Sequence, residues 1–245
     1  MAKLVLNSCR IFAGGTDLTG VSNRTTFTGE VEPKETTNFG SGGWKEFIGG
    51  LASAAVDGGG QWEAGTAANV DDQAWADMGS VIPYSVFPVD ANEGSVGYFM
   101  STLRDNYTFF GALGDVAAWT ATGKSSWPAA RGLSLEAPGT ARTVTGSGTA
   151  VQLGAVPAGQ RLYAALHVLS VAGTGSPTLT VRVQSDTVGF PSPTTQIAFT
   201  AATAIGGQIA RTAVGAITDD YVRADWTISG SSPSFLFVVT CGIAV

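Results

Sequence analysis

The stretch Glu35–Gly65, ETTNFGSGGWKEFIGGLASAAVDGGGQWEAG, constrains the fold more than any other part of the chain. Its flanks read as strands: Val31–Thr37 alternates polar with apolar residues, and Ser53–Trp62 is rich in small ones. Between the flanks, glycine stands beside Phe39, Trp44, Phe47 and Ile48. That density of glycine predicts a long, mobile loop, yet the loop carries large apolar side chains that favour burial. Rigid aromatic area removed from water is what anchors an interface. The segment Phe39, Gly40, Gly43, Trp44, Lys45, Glu46, Phe47 and Ile48 is therefore a candidate contact with another subunit. The competing reading folds the same loop back over its own sheet to cap the core.

Composition supports a sheet-based fold. The 33 glycines disfavour helix, each by about 1 kcal/mol against alanine, and only 13% of residues are charged. With 44% hydrophobic residues, 245 positions suffice for one large or two ordinary domains.

Along the chain, Leu4–Ala13 reads as a strand, Gly14-Gly15 as a tight turn and Thr16–Val21 as the returning partner. Thr25–Phe27 and Val31–Thr37 continue the sheet, and Pro33 places the latter at an edge. Asp57-Gly58-Gly59-Gly60 predicts a flexible turn. VDDQAWADMG predicts the helix: Asp71 or Asp72 caps it, Gly79 stops it, and Ala74, Trp75 and Met78 share one side, which lays Trp75 on the sheet. Ser80–Pro88, Ser95–Arg104, Asp115–Thr122 and Arg131–Glu136 read as strands separated by VDANEG, NYTFFGALG and TGKSSWPAA.

Near residue 146 the character changes. Ala137–Ala150 is small and Thr/Gly-rich, as a linker or an edge strand is. Before residue 146 nine Lys or Arg face fifteen Asp or Glu; after it four Arg face four Asp, with no Lys or Glu. The predicted strands there are Leu162–Val171, Thr178–Gln184, Thr195–Thr200, Ile205–Thr212, Tyr221–Ile228 and Ser234–Ile243, with AGTGSP and SGSSP as turns. RLYAALHVL fits an amphipathic helix as well, but its hairpin-like neighbours favour strand. The predicted fold class is mostly β: a sandwich or barrel over 1–145 flanked by one short helix, and a second sandwich over 146–245.

A net charge of −6 and a pI near 4.7 argue against gripping nucleic acid through phosphates. No window of about 18 apolar residues appears and MAKLVLNSCR lacks the regions of a signal peptide, so a cytoplasmic site of synthesis is expected. Cys9 and Cys241 read as two buried thiols, although their distance alone decides whether they pair. The single histidine, His167, lies in an apolar run and reads as structural. No Gly-x-Ser-x-Gly elbow is present, and Gly14-Gly15 and Gly58–Gly60 lack the spacing of phosphate loops. Asp71 with Asp72, Asp77, and Asp219 with Asp220 are explained by a helix start and a turn rather than by a metal. No cofactor, metal or catalytic residue is expected.

Three runs in order, LVLNSCRIFAGGTDLTGVSNRTTF, TTNFGSGGWKEFIGGL, and QWEAG followed by DDQAWADM, resemble the major tail tube proteins of long-tailed bacteriophages, especially those of actinobacterial hosts. The resemblance covers about residues 1–145 and more weakly the rest. It implies a structural virion protein and no enzyme. By that resemblance residues 1–145 are expected to form rings of six that stack into a hollow conduit for DNA ejection, with the Phe39–Ile48 loop making the contact between successive rings and assembly taking place in the host cytoplasm. The second domain lies outside, where it touches host-surface glycans or strengthens the tube. Implied partners are other copies, tape measure and tail terminator proteins, and DNA passing without specific binding. The rival class is a capsid decoration or fibre-like protein with a carbohydrate-binding sandwich. Because the excess acid lies in the ring-forming part, some of Asp17, Glu30, Glu32, Glu35, Glu63, Asp90, Glu93 and Asp115 are expected to face the bore; otherwise they solvate the outer surface.

Overall fold

Alternation of buried and exposed residues along short runs sets the strands, and a computed structural model describes residues 5–66 and 68–245. The expected mostly β architecture is present, with fourteen strands and one short helix among the described residues. β1 (Arg10–Ala13) turns at Gly14, whose φ of +55° suits glycine, into β2 (Thr16–Asp17). β3 (Ser22–Glu35) and β4 (Phe47–Gln61) form one long hairpin, merging the two separate strands expected before the loop. Among the described residues β3 pairs with β4 alone, so Pro33 does stand on an edge strand. After the helix α1 (Val70–Ala76) come β5 (Val81–Phe87), β6 (Val96–Phe110), β7 (Ala118–Ser125) and β8 (Ala130–Glu136). β5 lies between β1 and β6, while β6 pairs β8 through Val96–Phe99 and β7 through Leu103–Phe110. Ile11, Val56, Ile82, Tyr84, Met100 and Trp119 form the core of this part.

Several sequence expectations are corrected. Leu4 lies outside the described residues, and β1 begins only at Arg10. Gly58–Gly60 are no turn; they lie within β4, paired to β7, where the Tyr84 hydroxyl and Trp119 ring pack close to Gly58. Asn106–Phe110, expected in a turn, extend β6. The helix buries Val70 and Ala74 but leaves Trp75 67% exposed, because a small residue allows the helix to approach the sheet and the indole then has no room beneath it. Neither aspartate caps it: Asn69 is the N-cap, Asp71 accepts from the Trp62 indole N–H and the Tyr107 hydroxyl (2.9 Å each), and Asp72 accepts from the Gly65 N–H.

The second part contains β9 (Gly146–Ser147), β10 (Val151–Gln152), β11 (Arg161–Asp186), β12 (Thr194–Ala198), β13 (Gly206–Arg211) and β14 (Tyr221–Ala244). β11 and β14 pair antiparallel from Arg161↔Ala244 to Asp186↔Tyr221, with register shifts around Ser170–Thr178. The AGTGSP and SGSSP segments, expected as hairpin turns, are facing irregularities in this one ribbon, with left-handed Gly173, Gly175, Ser176, Gly230 and Ser232. RLYAALHVL is strand. Leu162, Leu166 and Val168 from one half of the ribbon share a core with Leu179, Val181 and Val183 from the other, so the ribbon folds over on itself as a sandwich.

Alternate residues of the first half of β11 face the other way, toward the N-terminal strands. Tyr163 and Ala165 pack with Phe99 and Ala130, and Leu169 with Phe12 and Phe87. β14 pairs β8 by hydrogen bonds, giving one continuous sheet. Gly15 matters at this junction: a Cβ there would lie 2.4 Å from the backbone N of Gly206. His167 is fully buried in the same seam, its Nδ1 2.8 Å from the Gly14 carbonyl and its Nε2 2.7 Å from the Ser85 hydroxyl. Since a carbonyl only accepts, Nδ1–H donates to it and Nε2 accepts from Ser85, which makes the ring neutral. Burial pushes its pKa down to about 4. Both cysteines are free; Cys241 is buried in the second core and its thiol is pushed up by that burial.

Candidate functional site

The hairpin β3–β4 runs past the sheet that supports it. β4 pairs β7 only from Ala54 to Gln61, so beyond Val31↔Ala52 two strands continue with no third neighbour among the described residues. An isolated two-stranded ribbon is marginal in water by itself, and this one spends its length on exposed apolar residues. Val31, Phe47, Ile48 and Leu51 are all exposed along it. At the tip, Phe39 is 112% exposed and Trp44 82%.

The tip is shorter and more regular than a mobile loop. Phe47 and Ile48 belong to β4, leaving Thr36–Glu46 to make the reversal. Thr36 N–H donates to the Glu46 carbonyl (2.9 Å), Trp44 N–H to the Ser41 carbonyl (3.2 Å) and Gly40 N–H to the Asn38 side chain (2.8 Å). Gly42 and Gly43 take the left-handed φ values of +61° and +88° that the turn needs. Lys45 pairs with Glu35 across the strands (3.1 Å), and Lys34 with Glu32. Polar groups thus hold the tip in shape while its aromatics point to solvent, and the loop does not fold back over its own sheet. Leu51, outside the sequence reading, is exposed on the same arm; only the length of the hairpin reveals it.

Two further apolar features went unread in the sequence. At the β6–β7 end, Phe110, Leu113 and Val116 are exposed beside Trp75, with edge contacts linking Trp62, Phe109 and Phe110 (5.2 and 4.7 Å between ring centres). Phe110 adopts φ +75°, a strained value for an aromatic residue. Burial, and then the neighbouring Asp71 carboxylate, raise the Tyr107 phenol beneath this cluster. At the base of the arm, Val31, Ala52, Ala54, Trp127, Pro128 and Val245 line a cleft of about 500 Å³.

The eight acids proposed from sequence scatter. Asp17 is paired with Arg10 at 2.8 Å, and Glu32 and Glu35 are on the arm with their lysines. Glu30 sits at the edge of the cleft, Glu63 precedes the helix, Asp90 follows β5 in a left-handed conformation, and Asp115 is in the β6–β7 tip. Glu93 is half-buried and accepts the Thr149 N–H. Among the described residues no group of three or more His, Cys, Asp or Glu is placed to hold a metal ion, and no helix is long and apolar enough to cross a membrane.

No protein-family model and no curated protein matches the chain. Solved structures similar to it include a chain from the virion of a native gene transfer agent particle, 20% identical, with a TM-score of 0.37 over 45% of this chain and 84% of that one. A chain from the tail of an empty gene transfer agent particle with C6 symmetry is likewise 20% identical, with a TM-score of 0.37 over 44% and 80%. The Dit (gp 19.1) protein of phage SPP1, described as a hub adsorption apparatus of phages infecting Gram-positive bacteria, is 12% identical, with a TM-score of 0.36 over 98% and 100%. The structures similar to this chain are thus components of phage tails and virion-like particles.

Proposed function

We propose that this protein is a structural subunit of a phage tail, forming stacked sixfold rings of a tail tube that conducts DNA. The observation that carries the reading is the unsupported β3–β4 arm, with Phe39, Trp44, Phe47, Ile48 and Leu51 held in water on an ordered hairpin. Such a face is costly unless a partner covers it. The sequence resemblance to major tail tube proteins names that partner as another copy.

Magnitudes favour an assembly over a lone pair. Burying five large apolar side chains gains about 1.5–3 kcal/mol each, or about 7–15 kcal/mol per arm. Association costs a similar 4–15 kcal/mol. A single docked arm therefore comes out near balance, whereas a preformed ring that docks on the next through several arms makes several contacts for one loss of freedom. Because the arm and its receiving surface differ, the contact is head-to-tail, which closes into rings or propagates along an axis.

In this reading residues 1–145 build the ring and 146–245 lie outside it, tape measure and terminator proteins meet the assembled tube, and assembly takes place in the host cytoplasm. Negative-stain microscopy of concentrated protein tests it: tubes of uniform width are expected. Discrete particles that never polymerise would favour a capsid decoration or fibre-like role instead.

A further inference from the structure

A buried acidic corner joins the two parts of the chain and has nothing to do with the arm. Glu136, the last residue of β8, is 1% exposed. Its Oε1 receives the Arg142 guanidinium at 2.7 Å, while its Oε2 is buried without a hydrogen-bond partner. An orphaned carboxylate oxygen in such a place is costly and calls for a partner. The residue before it, Leu135, is skipped by the register between Val239↔Glu136 and Thr240↔Ser134, so it is the extra residue of a bulge.

Gly148 leaves space beside these groups. Around the point where its Cβ would stand converge the Leu135 carbonyl oxygen (2.8 Å), Glu93 Oε1 (3.2 Å) and the orphaned Glu136 Oε2 (3.6 Å). The other Glu93 oxygen is occupied by the Thr149 N–H at 3.3 Å. Gly148 N–H donates to the Ala224 carbonyl, which pins this segment beside β14. Two carboxylates and one guanidinium leave a net negative charge facing three convergent oxygens.

We propose that this corner is a cation site, formed by Glu93, Glu136 and the Leu135 carbonyl and taking a hard divalent ion of the calcium class. Carboxylates with a backbone carbonyl are calcium's ligand chemistry, and its tolerance of irregular geometry suits a set with water completing the shell on the half-exposed Glu93 side. Magnesium demands near-ideal octahedral placement, which three oxygens of unequal reach do not offer. The site draws ligands from the β5–β6 turn and the end of β8, 43 positions apart in sequence, so no local spacing announces it. Bound there, the ion ties the N-terminal strands to the segment that crosses into the second part.

The test is thermal melting of the full chain at pH 7 after chelation, with calcium chloride added back. Calcium is expected to raise Tm by about 5–10 °C at a hundredfold excess over its dissociation constant, and magnesium to do much less. Glu93→Gln, which keeps an acceptor for Thr149, and Gly148→Ala, whose methyl fills the space, are each expected to abolish the shift. Terbium emission excited through tryptophan, and displaced by calcium, reads occupancy without reference to stability. An unmoved wild-type Tm, a calcium shift that either variant retains, or terbium emission that calcium does not displace would overturn the assignment. A Tm raised by acid but not by calcium would mean that the two carboxylates share a proton instead.

Discussion

At the scale of single residues, His167 is the group whose chemistry has the plainest consequence. In the folded chain the ring stays neutral down to about pH 4, whereas unfolded it takes a proton near 6.5. The unfolded state therefore binds more protons between those values, and stability falls as pH drops from about 6.5 to about 4. Two and a half pH units correspond to a loss on the order of 3 kcal/mol. His167→Gln should be less stable at pH 7, because the Ser85 and Gly14 bonds are disturbed, yet it should lose less on acidification. Parallel melting curves from pH 7 to pH 4 check this, and equal slopes for the two proteins would refute it. That His167 is structural was legible from its apolar neighbours; that it bonds across the seam between the two parts was not, because Ser85 and Gly14 lie 82 and 153 positions away.

At the scale of elements, the arm makes the sharpest prediction. Trp44→Ala combined with Phe47→Ala removes two exposed anchors and touches no buried core residue, so the melting temperature of the monomer should stay within a few degrees while tube formation fails. Wild-type assembly by the double variant would remove the arm from the interface. The arm was legible because apolar aromatics among glycines contradict an ordinary loop. Its length was not, since strand pairing beyond Val31 depends on Ala52 and Phe47 far along the chain. The same limit explains β11 and β14: Gly, Ser and Pro marked AGTGSP and SGSSP as turns, but the two segments lie opposite one another and absorb each other's kink within one ribbon. Trp75 misled for a different reason. Helical spacing gives a face but not a direction, and a seven-residue helix that approaches through Ala74 leaves the indole outside.

At the scale of the whole molecule, two predictions concern how the parts behave. We propose that residues 1–145 fold as a unit, on the charge and composition break near 146 and the strand count on each side. Cutting there uncovers Phe12, Phe87 and Phe99, which pack on β11 and β14, so the fragment should melt cooperatively but well below the full chain; a fragment with no cooperative transition in any buffer would deny it the status of a unit. The second prediction is that acids outnumber lysines and arginines on the bore wall of the assembled tube, since duplex DNA carries about one charge per 1.7 Å and acidic walls keep it centred. An atomic structure of the tube decides it, and a basic wall would refute it. The ribbon of β11 and β14 also sets a timetable. β14 leaves the ribosome about a hundred residues after β8, which at roughly 5–20 residues per second is a delay of about 5–20 s. Throughout that interval β11 supplies Tyr163, Ala165 and Leu169 against Phe12, Phe87 and Phe99 but lacks the strand it pairs with, so the seam is closed only when the last strand of the chain has been made.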